Sequence, residues 1–440
     1  MNRKELEGLT KPELIDLVLG MQRPDKTSRT SSKPPSTDRK AKREGSRPGG
    51  AKPGHKGHAR VLAEAPDAHE DHRPAHCHHC GLPFAEDASG AVIGEYDEID
   101  LPEVKPVVRR HRRLKCRCAS CGKTSAAPLP AAAQGTPFGH RIHALALYLK
   151  SNQLFSYERL QGVFADLFGL QLSQGALMNM FKRTAPVFAA GRDDALAALR
   201  GAEVVACDET GMRIEGCNAY QWVFCSSKAV VHTAEFSRAA HVVHDTMAGH
   251  KPEVWISDRY SAQQGHGRRH QTCLAHLDRK ARFAAQNGSD LIGMRVQFWF
   301  DRAFRLARDI ATLAAATVKN RRRALMRDLD AILASTTDCQ LARELLGQIR
   351  RARDQILTFC DFAGRVDATN NVSERALRPS VIQRKVTNGY RAKWAADAEA
   401  ALRTTVDTAR LAGSTPFHTI LSRRVLARTG VARPGRSRRS

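Results

Sequence analysis

The sequence predicts a multidomain protein built around a mixed α/β domain that contains a helical insertion. A zinc ribbon and a helix-turn-helix-like helical domain precede it. Three observations carry this reading. The apolar runs Val204–Cys207 and Val254–Ser257 close on Asp208 and Asp258, the pattern of buried strands ending at a carboxylate. Two Cys-x2-Cys pairs, Cys77 with Cys80 and Cys118 with Cys121, lie upstream. From residue 279 to 365 the apolar spacing becomes helical.

Composition bounds the possibilities. A chain of 440 residues exceeds one compact core, so several domains are expected. Lys and Arg number 70 against 45 Asp and Glu, a net charge of +25. That surplus predicts a polyanionic partner bound in a salt-sensitive way through counterion release. No apolar run approaches the ~20 residues that span a bilayer. The N-terminal residues also lack the apolar centre of a signal peptide. Eleven cysteines in such a chain suggest reduced thiols and metal sites rather than disulfides. The expected location is the bacterial cytoplasm, in association with the nucleoid, with no membrane partner.

Taken in order, residues 1–22 read as a helical segment carrying Leu6, Leu9, Leu14, Leu17 and Leu19, either a short zipper or a docking helix. Residues 23–65 read as a basic linker, because Ser, Pro, Gly, Lys and Arg cannot build a core. Such an arm is either a solvated tether or lies along phosphates. Residues 66–130 read as the zinc-binding ribbon, with β-like segments near Val92, Val104 and Val107–Val108 between the cysteine pairs. Four thiolates suit a closed, structural zinc site. Residues 135–200 read as three helices, His140–Gln153, Tyr157–Phe168 and Ser173–Pro186, with Gly169 ending the second and Ser173 able to cap the third. The last carries Asn179, Lys182 and Arg183. These helices are either an ordinary linker or a helix-turn-helix-like DNA-binding domain.

From residue 201 to 278 the pattern is strand, strand, strand, helix, strand, with a further strand near Gln271–Leu274. That order begins a ribonuclease H-like α/β fold and places Asp208 and Asp258 at the ends of neighbouring strands. Residues 279–365 form the helical insertion. Residues 366–415 return to the core, and Glu374 opens a helix there, followed by Arg375, Arg378, Arg384 and Lys385 as phosphate contacts. Residues 416–440 form a basic tail. Carboxylates gathered at strand ends suit a pair of hard divalent cations and phosphoryl displacement. Asp208 and Asp258 could instead be turn residues, and Asn371-x-x-Glu374 also fits a capping box. Glu209 points to the opposite face of an extended segment and is the poorer ligand.

Several motifs resemble the DDE transposases of the insertion sequence 66 family. They are Cys207 through Gly211, Cys273-x2-His276 followed by Arg279 and Lys280, and Thr369 through Pro379. The resemblance extends to Ser31–Asp38, Gly54–Gly57, the cysteine pairs and Ala412-Gly413. It implies that Asp208, Asp258 and Glu374 are a triad binding two Mg²⁺ (or Mn²⁺) ions. Cys273 and His276 would be the family's accessory C-x2-H element, acting directly or through packing. Here Arg259 stands where the family has Gly, Thr369 where Asp is common, and Ser373 where Ala is common.

The implied activity is metal-dependent cleavage of 3′ ends and strand transfer on double-stranded DNA, both element ends and target. The protein would act as a homo-oligomer on DNA, with accessory proteins from the same element as further partners. Two other classes fit the same residues: a ribonuclease H-like nuclease without strand transfer, and a non-catalytic DNA-binding relic.

Overall fold

A computed structural model describes residues 10–12, 26–27, 29–31, 50–51, 54–57, 60–130 and 136–429. The leucine-bearing N-terminal segment, most of the basic linker and the end of the tail lie outside the described residues. The chain divides into two compact units, Lys40–Pro106 and the remainder. In the first, a turn at Cys77–Cys80 closes through the Gly81 amide on the Cys77 carbonyl (2.8 Å). The segments near Val92, Val104 and Val107–Val108 do not form strands. Their apolar side chains meet no partner surface and stay exposed, Ile93 and Val107 almost wholly.

In the second unit, β1 (Lys115–Arg117) and β2 (Thr124–Ala126) form an antiparallel hairpin around Cys118 and Cys121. Next come α1 (His140–Leu147), α2 (Tyr157–Phe168) and α3 (Gln174–Leu199). Ser156 and Ser173 cap α2 and α3 by accepting the Arg159 and Ala176 amides. Gly169 ends α2 at φ 60°. Leu160, Phe164, Leu172, Leu177 and Met180 form a small core where these helices meet. The sequence reading stops the third helix at Pro186, whereas α3 runs on to Leu199. Pro186 lies on the solvent side, so the carbonyl its missing N–H leaves unpaired can be hydrated. The buried stripe through Thr184, Phe188, Gly191, Ala195 and Leu199 continues unbroken.

The central sheet contains β3 (Val204–Ile214), β4 (Cys217–Cys225), β5 (Val230–Glu235), β6 (Val254–Ser257) and β7 (Arg269–Thr272), in the order β5-β4-β3-β6-β7. The first three form an antiparallel meander, while β6 and β7 run parallel to β3. The β3–β4 turn has both Glu215 (φ 55°) and Gly216 (φ 77°) in the left-handed region, which matches the twist of a two-residue hairpin. This hairpin carries β3 beyond the apolar run that predicts it.

Helices cover both faces of the sheet. On one face, α3 and α4 (His241–Met247) bury Trp222, Phe224 and Trp255. On the other lie α5 (Leu274–Asn287) and the insertion helices α6 (Ile292–Asp309), α7 (Ala315–Leu333) and α8 (Gln340–Ala352), together with α9 (Asn371–Thr387). A side chain at Gly293 would strike the backbone of Ala284 and Ala285, so α5 and α6 pack closely there.

The chain ends in α10 (Lys393–Leu411) and α11 (Pro416–Thr429). Edge strand β5 is covered by α10: the Thr404 and Thr408 hydroxyls accept the His232 and Val230 amides (2.8 and 3.1 Å). This removes a free strand edge. Among the described residues no helix is long and apolar enough to cross a membrane.

Candidate active site

Register sets the first two carboxylates. Val204, Val205 and Ala206 pair with Val254, Trp255 and Ile256. Asp208 and Asp258 therefore each follow a matched pair by two residues, Asp208 still within β3 and Asp258 one residue past the end of β6. Alternation then divides the side chains of β3. Ala206 belongs to the core with Leu274 and Leu377, and Cys207 to the opposite core with Trp222 and Trp255. Asp208 shares the face of Ala206 and looks toward α5 and α9, while Glu209 shares the face of Cys207.

The third carboxylate comes from the first turn of α9, whose start is fixed from three sides. Asn370 donates its side-chain amide to the Cys207 carbonyl (2.8 Å) and its backbone N–H to the Cys273 sulfur (3.2 Å). Its side-chain oxygen accepts from Ser373 (2.8 Å). Cys273 itself continues the sheet, donating its amide to the Ser257 carbonyl (2.9 Å). This fully buried cysteine thus ties the ends of β6, α5 and α9 together. Burial pushes its thiol up, while the amides of Asn370, His276 and Ala275 oppose that.

His276, in the first turn of α5, stands between two of the acids. Its Nε2 lies 3.1 Å from Glu374 Oε1, and its Nδ1 lies 4.0 Å from Asp258 Oδ2. Arg279 reaches the same Glu374 oxygen at 3.7 Å. The His276 hydrogen bond holds the Glu374 carboxyl below its ordinary value. Glu374 is therefore engaged across the site rather than with its own helix end, so the capping-box alternative does not describe it. Asp258 accepts the Tyr260 amide at 2.8 Å.

Asp208 is different. Burial, then the negative charges of Glu209 and Asp258, and more weakly that of Glu374, raise its carboxyl well above the usual range; the Glu209 amide, donating at 3.0 Å, opposes this. Among the described residues no cationic side chain pairs with it. Cys273, His276 and Glu374 also bring potential ligand atoms within 4.8 Å of one another.

The remaining predicted residues fall into two groups. Asn179, Lys182 and Arg183 are exposed on the first half of α3, as are Arg375, Arg378 and Lys385 along α9. Arg384 differs: its guanidinium donates to the Gly211 carbonyl and ties α9 to β3. Arg259 points away from Asp258, donating to the Arg351 carbonyl at 3.0 Å and to Gln355 at 3.4 Å. It therefore does not pair with Asp258. Sequence reasoning missed Arg238 and Gln263, which contact Glu209, because nothing in their local spacing marks them.

The cysteine pairs are divided between the two units. Both are Cys-x2-Cys-Gly turns with the glycine at positive φ, Gly81 at 75° and Gly122 at 67°. In each, backbone amides of the turn, that of the second cysteine foremost, point at the first sulfur and lower its pKa, at Cys77 and at Cys118.

A family model described as Transposase IS66 family matches residues 135–398, more than half of the chain. No curated protein matches it.

Proposed function

The chain belongs to the IS66 family of transposases, and from that premise we propose that it is a DDE-type DNA transposase with a ribonuclease H-like catalytic core. The observation that carries this is the register match of Asp208 and Asp258 on parallel strands, with Glu374 engaged through His276. Asp258 and Glu374 both flank His276, and Asp208 lies near enough for their negative charges to help raise its carboxyl above the usual range. That donor set fits Mg²⁺ or Mn²⁺, with Asp208, Asp258 and Glu374 as the holding residues. A bound pair of such ions supplies activation of the attacking oxygen and stabilisation of the leaving one.

The chain's own residues do the rest. Asp208 would offer the cations a carboxylate that, among the described residues, has no cationic partner of its own. His276 and Arg279 orient Glu374. Arg375, Arg378 and Lys385, exposed on the helix that carries Glu374, hold backbone phosphates next to the scissile bond. Asn179, Lys182 and Arg183 present a helix-turn-helix-like surface to duplex DNA. Joining two element ends calls for two sites, so the active form is a homo-oligomer on DNA, in the cytoplasm.

Zinc is the proposed structural metal of the cysteine pairs, Cys77 with Cys80 and Cys118 with Cys121. The amide-rich Cys-x2-Cys-Gly turns favour thiolate, the form that binds zinc.

The test uses duplexes carrying the sequences that flank this reading frame, both intact and pre-cut. With Mg²⁺, intact ends should be cleaved at 3′ positions and pre-cut ends joined to target DNA. Nicking without joining would leave a nuclease. Specific binding with neither reaction would leave a non-catalytic relic.

A further inference from the structure

Glu209 sits on the face of β3 turned away from Asp208, yet both its oxygens are spent on elements that frame Asp258. Its side chain is only 2% exposed. Oε1 accepts from Arg238 through Nε (2.8 Å) and a terminal nitrogen (2.6 Å). Oε2 accepts from the Gln263 amide (2.7 Å). Gln263 is fully buried in the short turn Ser261–Gln263 and also accepts from the Trp255 indole (3.3 Å). The Arg238 guanidinium lies 3.9 Å from the centre of the Tyr260 ring, within cation–π range. The Tyr260 amide donates to Asp258, and the Gln264 side chain donates to the Asp258 carbonyl at 3.3 Å. A continuous set of contacts thus runs from Glu209, through Arg238 and Gln263, to the segment that orients Asp258.

We infer that Glu209 is a positioning residue: it clamps the 259–264 turn and thereby aims the Asp258 carboxylate at the metal site. This rests on the reading of Asp258 as a metal ligand. Groups one contact removed from a ligand set its orientation, and their loss typically costs 10–100-fold in metal affinity. A carboxylate this deeply buried is costly unless its oxygens are satisfied, and both oxygens of Glu209 are held by partners in or beside that turn.

The experiment compares the full chain with Glu209→Gln, Glu209→Ala and the double variant Glu209→Ala/Arg238→Ala, which leaves no unpaired arginine. Three readouts are taken: amide exchange over residues 259–264, Mn²⁺ affinity by calorimetry, and the Mg²⁺ concentration that half-saturates cleavage. In Glu209→Ala the Tyr260 amide should exchange faster while β3 and β6 keep their protection. Mn²⁺ affinity should fall roughly tenfold, the half-saturating Mg²⁺ should rise in step, and cleavage at saturating Mg²⁺ should recover. Glu209→Gln, which keeps one acceptor oxygen, should lie between.

Unchanged exchange and affinity in a folded Glu209→Ala protein would overturn the clamp. So would a loss of stability without any shift in metal dependence. A folded variant that is inactive at every Mg²⁺ concentration would make Glu209 a ligand and overturn it from the other side. If Asp258→Ala kept both Mn²⁺ affinity and cleavage, the metal-site reading would fail, and exchange at Tyr260 would still decide the clamp.

Discussion

The sheet region and residues 60–130 draw their order from different sources. In the sheet, Trp222, Phe224 and Trp255 are wholly buried and helices close over both faces. In residues 60–114, Val92, Ile93, Tyr96, Leu101, Val107 and Val108 are almost all open to solvent. Regular structure in residues 60–130 amounts to a hairpin of two three-residue strands, an isolated bridge between His76 and Pro83, and two cysteine turns. Both regions contain β-branched residues, so composition does not separate them. The sheet strands come as uninterrupted apolar runs with partners on both sides. The others are scattered among Pro, Glu and Arg, and there the cysteine turns are the best-organised feature.

The largest expected effect tests that contrast directly. Zinc held by the cysteine pairs would contribute local folding free energy, on the order of 10 kcal/mol for comparable sites. Chelation, or Cys77→Ser with Cys80→Ser, should therefore remove amide protection from residues 66–130 while leaving the melting of the sheet unchanged. Purified protein without zinc and with the same protection would break the contrast.

Next come the carboxylates. Asp208→Ala, Asp258→Ala and Glu374→Ala should each lower cleavage by roughly a thousandfold or more, since a metal pair supplies several kcal/mol at the transition state. DNA affinity should hardly change, because it comes mainly from basic residues. Full cleavage in all three variants would remove the metal-site reading altogether.

A third effect belongs to the sheet side alone. Arg403 is buried against Glu399 (2.9 Å), with Ser380 (2.9 Å) and Gln383 also accepting its N–H groups. Burial works against the arginine's charge, but Glu399 and Tyr390 outweigh it and raise the guanidinium pKa. Arg403→Ala strands a buried carboxylate and should cost about 3–5 kcal/mol, seen in denaturant unfolding of the sheet region with zinc content unchanged. A loss of zinc instead would show that the two regions share their stability.

How much of this was legible follows from how local each signal is. Val254–Ser257 and Tyr157–Phe168 are found at their predicted bounds because apolar spacing and caps mark both ends. The full length of β3 was hidden, since Asp208 through Arg213 carry no apolar run and extend the strand only by pairing with β4. Pro186 misled because the stop signal is local, whereas the buried stripe that overrides it is tertiary. At the site, Asp258 announces itself just past a strand end and Glu374 in a helix's first turn, whereas Asp208, expected to end its strand, lies inside β3. Arg384 looked like a phosphate contact, yet its partner is the Gly211 carbonyl far away in sequence. The partners of Glu209 were invisible for the same reason.

The smallest effect concerns what the sheet region gives up for its site. Burial, and after it the neighbouring acids, raise the folded-state pKa of Asp208 well above the ordinary carboxylate range. The native state therefore holds this proton to higher pH than the unfolded chain does. Stability is intact below the unfolded pKa and is lost as pH rises through the window above it. In Asp208→Asn that loss disappears. The metal-free variant should thus match wild type in acid and exceed it by about 0.5–2 kcal/mol at mildly alkaline pH, the usual scale for relieving a strained functional position. Added Mg²⁺ should then stabilise wild type by mass action and leave the variant nearly unmoved. Denaturant midpoints for both proteins across pH, with and without Mg²⁺, measure this. A variant less stable than wild type in metal-free alkaline buffer would mean that Asp208 is compensated within the fold. The site would then be an ordinary polar cluster rather than one awaiting cations.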